Sequence, residues 1–107
     1  MVRSKTSQDD TFKDFVLDQL NGIEGLRSRA MFGGFGFYSG EAFFAIVFKG
    51  RLYFKTSPGT RSQYLERGMK PFRPSAKQSL TSYYEVPLEI IEDAVQLTVW
   101  ARAAVRG

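Results

Sequence analysis

An α+β domain of two layers is what this sequence predicts. The expected architecture is an antiparallel sheet built on a β-meander, with helices mainly on one face, in the order α-β-β-β-β-α-β-α. Three observations carry it. The 25 residues from Met31 to Lys55 hold seven of the ten phenylalanines, a density of large apolar groups found nowhere else in the chain. Two glycine-bearing turn signals, Ser39-Gly40 and Lys49-Gly50, cut that stretch into β-rich runs, and glycine near such a turn tolerates the positive φ that hairpins require. Apolar stripes at helical spacing stand before and after it.

The first stripe is Phe12, Phe15, Val16 and Leu20, with Asp9-Asp10 placed to cap a helix and Asn21-Gly22 to stop it. Residues 1–8 are polar and are expected to form a flexible N-terminus, with 9–107 a single domain. LRSRAMF, residues 26–32, alternates as a strand: Leu26, Ser28, Ala30 and Phe32 on the core side, Arg27, Arg29 and Met31 on the outer side. Gly33-Gly34 then permits a bend or bulge. As a nucleotide motif the glycines fail, because there is no G-x-G-x-x-G and no helix follows.

Register decides the faces of the meander, since a slip of one residue turns a strand over. A two-residue loop at Ser39-Gly40 pairs Phe37 with Ala42 and Phe35 with Phe44. For the second turn, a two-residue loop pairs Val47 with Leu52 and Ala45 with Phe54, spreading apolar groups over both faces. A three-residue loop with Gly50 at a bulge pairs Ile46 with Leu52 and Phe44 with Phe54. The expectation is the latter, with Phe35, Phe37, Phe44, Ile46, Leu52 and Phe54 facing the helices. The outer face then carries Tyr38, Glu41, Phe43, Ala45, Val47, Arg51, Tyr53 and Lys55.

After the meander, Ser57 as N-cap with Pro58 at the first helical position opens a short helix anchored by Tyr64 and Leu65 and stopped at Gly68. Residues 69–79 carry Pro71 and Pro74 and read as a loop with at most an edge strand at Phe72. LTSYYEV, 80–86, is a strand. Pro87 opens one last helix from Leu88 to Val105, its stripe made of Leu88, Ile91, Val95, Thr98 and Val99, extended by Ala94, Leu97, Trp100 and Ala101. Acids at its start and arginines at its end suit the helix dipole.

Composition prunes function. The chain has 107 residues, net charge +4 and a pI near 9.6, and contains neither cysteine nor histidine. Disulfides and thiolate chemistry are therefore excluded. The commonest metal ligand and general base is missing too. Glu41, Glu66, Glu85 and Asp93 show no paired spacing, so no enzyme, catalytic residue, metal or cofactor is expected. No apolar leader or spanning run is present, so the expected location is the cytoplasm.

The segments MFGGFGFYSG, FAIVFKGRLYFK, LERGMKPF, SYYEVP and EDAVQLTVWARAA together resemble the N-terminal domain of the TfoX (Sxy) family, over about residues 12 to 105. The resemblance implies a two-layer α/β domain with an antiparallel sheet, here as a stand-alone single-domain member. In full-length TfoX proteins this domain is joined to a helical domain, and the whole regulates natural competence for DNA uptake. Met31, Phe32, Gly33, Gly34, Tyr83 and Tyr84 carry over as a structural signature, with no catalytic role implied.

Two functional readings follow. One is a non-catalytic regulatory or interaction domain, its partner another protein or a second copy in a homodimer. The other is a weak nucleic-acid or anion binder using Arg27, Arg29, Arg51, Tyr53 and Lys55, where cations meet phosphate and an aromatic stacks a base. In a meander those cations stand on strands one and four, roughly 14 Å apart at about 4.8 Å per strand gap. That exceeds a Debye length of about 8 Å, so binding of DNA no tighter than roughly 10⁻⁶ to 10⁻⁴ M is expected.

Overall fold

The computed structural model describes residues 4–31, 33–74 and 80–107. Helix α1 (Ser4–Gln19) leads into strands β1 (Leu26–Met31), β2 (Gly34–Ser39), β3 (Ala42–Phe48) and β4 (Arg51–Lys55). Helix α2 (Pro58–Leu65) follows, then β5 (Pro71–Phe72), β6 (Leu80–Glu85), a single turn α3 (Leu88–Ile91) and α4 (Ala94–Arg106). All strands join one antiparallel sheet in the order β1-β2-β3-β4-β6-β5. The α+β class, the meander and the one-sided helices are as the sequence predicts.

Several local expectations are corrected. Helix α1 already includes Ser4, ahead of the expected Asp9-Asp10 cap. The loops of the meander differ from the registers chosen. Ser39 pairs with Ala42, and Phe35 lies opposite Val47. The second turn is the two-residue loop, Lys49-Gly50, with Val47 opposite Leu52 and Ala45 opposite Phe54. Both its central residues have positive φ, 51° at Lys49 and 76° at Gly50, the geometry of a type I′ turn whose twist matches the strands it joins.

The reason that the two-residue loop still buries the right rings is a bulge in β3. Phe37 lies opposite Ala45 but Tyr38 opposite Phe43, so Phe44 is the extra residue. A bulge puts two successive side chains on one side of the sheet. Phe44 and Ala45 therefore both face the helices, and Ile46 is thrown to the other side. The expectation that Phe44 and Phe54 face the helices while Phe43 and Tyr53 face away holds. Ala45 and Val47 exchange places with Ile46.

The last helix is broken. Asp93 has extended backbone, φ −111° and ψ 99°, and its Oδ1 accepts the Gln96 N–H at 3.1 Å while Oδ2 accepts from Gln96 Nε2 at 3.0 Å. Aspartate competes for backbone donors in this way and so favours the start of a helix over its interior. The restart sets a new face: Leu97, Trp100, Ala101 and Ala104 are buried, whereas Leu88, Val95 and Val99 are exposed. Phe72 does form an edge strand, paired to β6.

The principal core lies between the sheet and α1, α2 and α4. Val16 and Leu20, Phe37, Phe44 and Phe54, and Leu97 and Ala101 have no exposed surface. Tyr64 of α2 wedges between Tyr84 and Trp100, at ring distances of 6.1 and 4.8 Å. Of the expected signature, Phe32 lies outside the described residues. Gly34 is needed for a close approach, because a Cβ there would collide with the Val47 carbonyl oxygen of β3.

Candidate interaction surface

The face of the sheet turned away from the helices carries a second, smaller apolar cluster. Ile46, Phe72 and Tyr83 are buried in it, and Phe43, Phe48, Tyr53 and Leu80 pack around them half-buried. The rings form two chains of contacts. Tyr38, Phe43 and Tyr83 lie in sequence across β2, β3 and β6, with centroids 5.2 and 5.3 Å apart. Phe72 reaches over the sheet edge and meets Tyr53 at 4.8 Å and Phe48 at 5.4 Å, both edge-on.

Local structure explains the placement. Phe43 stands just before the bulged residue, and its carbonyl accepts the Tyr83 hydroxyl at 3.2 Å. Burial, with the neighbouring Tyr38 adding to it, pushes the Tyr83 phenol up to about 12. The Tyr53 phenol is raised as well, first by burial and then by the Glu85 carboxylate. Both rings thus stay neutral donors at physiological pH. Gly36 leaves the space that Met31 and the Phe43 ring fill from either side.

The five residues singled out for phosphate binding do lie on this face, but they are not gathered. Arg51 donates to both oxygens of Glu85, at 3.1 and 2.9 Å, which neutralises it. Arg27 lies over the Tyr38 ring at 4.8 Å and gives its Nε–H to the Gly40 carbonyl at 3.2 Å. Tyr53 is committed to Phe72. Arg29 is exposed, with no carboxylate partner among the described residues. Lys55 sits on β4, three strand gaps from β1. The roles of Ile46, Phe48, Phe72 and Tyr83 here were missed by sequence reasoning. The S-Y-Y alternation of β6 and the isolated Phe after Pro71 were the available signals.

Among the described residues no group of three or more aspartates and glutamates is placed to hold a metal ion. No helix among them is long and apolar enough to cross a membrane.

Comparison with known proteins gives one match by family. The sequence pattern described as the TfoX N-terminal domain fits residues 18–107. No curated protein matches the chain.

Proposed function

Since this chain belongs to the TfoX N-terminal domain family, we propose that it is a non-catalytic regulatory or interaction domain that docks a second copy of itself through the outer face of its sheet. Membership also suggests a regulatory setting of the kind full-length TfoX proteins have in competence.

The carrying observation is the aromatic surface of Tyr38, Phe43, Phe48 and Tyr53, half-buried and not covered by any helix among the described residues. Aromatic residues are enriched at protein interfaces because they bury much area at little conformational cost. Charge is arranged to permit it. The Arg51–Glu85 pair is internally neutral, so the end of the face beside the Lys49-Gly50 turn can be covered without stranding a lone charge. Of the remaining cations, Arg29 stands on the edge strand β1, at a margin that an interface leaves wet, whereas Lys55 lies opposite Tyr83 within the face.

Sedimentation tests the reading. The domain at tens of micromolar should run at twice its 12.1 kDa mass. The phosphate-binding alternative predicts something else: a monomer whose DNA affinity falls steeply with added salt and with Lys55→Glu.

A further inference from the structure

We propose that the open edge of β1 takes up an extended acidic segment of another protein as an added strand, with carboxylates set against Arg27 and Arg29. This site is the backbone edge of β1, at the margin of the outer face, and binding there does not depend on self-association through the aromatic residues.

The backbone comes first. β1 ends the sheet, pairing along all six residues with β2 and with no strand on its other side among the described residues. The Gly40 N–H donates to the Gly25 carbonyl at 3.0 Å, which makes 25 and 40 a hydrogen-bonded pair. Such pairs alternate along an antiparallel ladder. Residues 27, 29 and 31 therefore spend their peptide groups on β2, while Leu26, Ser28 and Ala30 present theirs outward. Three N–H and three C=O groups in a row form a template for an added strand.

The side chains decide which strand fits. Arg27 and Arg29 are both exposed and on the same face, two residues apart. A second copy of β1 docked antiparallel about Ser28 would place Arg27 opposite the partner's Arg29 and the reverse, and like charges facing across a ladder oppose pairing. The same two cations favour a strand with acids at alternate positions, whose Cβ atoms would come within about 5 Å of theirs. Arg27 is already oriented for this by Tyr38 and Gly40, and Arg29 has no carboxylate partner among the described residues. On the other face Ser28 and Ala30 are small, so the guest's intervening residues can be β-branched without collision.

The test uses a fluorescent peptide alternating glutamate and valine, titrated with the whole chain and read by anisotropy. Ser28→Pro removes an outward N–H and leaves the β2 ladder intact, since proline is tolerated on an edge. It should weaken binding tenfold or more. Arg29→Glu should do the same and should confer binding of the matching lysine–valine peptide. Unfolding curves of both variants serve as folding controls; if Ser28→Pro does not fold, the charge swap still decides. The proposal is overturned by no binding at millimolar peptide, or by binding that survives Arg29→Glu. Equally fatal would be an oligonucleotide that binds in the peptide's place and is indifferent to Ser28→Pro, which would make the edge a phosphate contact.

Discussion

Phe54 has no exposed surface, and its ring lies 5.9 Å from that of Phe44 at the centre of the helix-facing core. Truncating it removes the ring's transfer free energy and leaves a cavity, because close-packed neighbours relax only in part. Phe54→Ala should therefore cost about 3–5 kcal/mol in a urea titration. Tyr83 answers a different question, the worth of a buried phenol on the outer face. Its folded pKa of about 12 lies above the ordinary tyrosine value of 10.0. A raised tyrosine favours the neutral form in the fold, so its stability contribution is fully present below pH 10 and is lost as pH climbs through about 12. Thermal melts of the native chain should fall across that window, and those of Tyr83→Phe should fall less.

At the scale of the element, the Lys49-Gly50 turn and the Asp93 cap are where local chemistry fixes the geometry. Lys49 holds φ 51° without being glycine, a conformation costing an ordinary residue roughly 1 kcal/mol. Asparagine tolerates that region and is preferred in type I′ turns. Lys49→Asn should raise stability by up to about 1 kcal/mol in the same urea experiment; a loss would mean that the lysine side chain's own contacts outweigh its backbone cost. The Asp93 carboxyl is held below its ordinary range, chiefly by the hydrogen bonds from Gln96. A depressed pKa adds stability above the unfolded value and gives it up as pH falls through the folded one. Asp93→Ala should therefore lower the melting temperature at neutral pH and converge on the native chain in acid. Asp93→Asn, also a good cap, should keep more of the stability.

These two places also show how far the sequence could be read. Glycines and alternation revealed the meander, and Ser57-Pro58 and Gly68 marked α2 at both ends. The bulge at Phe44 left no local mark, because every residue around it is apolar and either face would accept them. Only the closure of the Lys49-Gly50 turn against the helix-side core forces the extra residue. The break at Asp93 was legible as an N-cap with Gln96 three residues on, but the continuous apolar spacing on either side concealed it. On the outer face, Arg27, Arg29, Arg51, Tyr53 and Lys55 were placed on the correct side. What linear order could not show was that Glu85, from a strand distant in sequence, neutralises Arg51, or that Phe72 folds over Tyr53.

For the molecule as a whole, the sheet has two apolar faces of unequal cover. One is sealed by α1, α2 and α4; the other is closed in part by the short β5–β6 edge, which leaves Tyr38, Phe43, Phe48 and Tyr53 half-open between charges. Monomers seldom leave such a patch wet, and pairing by a two-fold axis would cover it on both copies at once. The most direct measurement is sedimentation equilibrium of the native chain beside Phe43→Ser, with unfolding curves to confirm that the variant folds. The native chain should show a dimer of twice 12.1 kDa at tens of micromolar, and Phe43→Ser the single 12.1 kDa species. A native chain that stays at 12.1 kDa, or a dimer indifferent to Phe43→Ser, would contradict the assignment of this face as the interface.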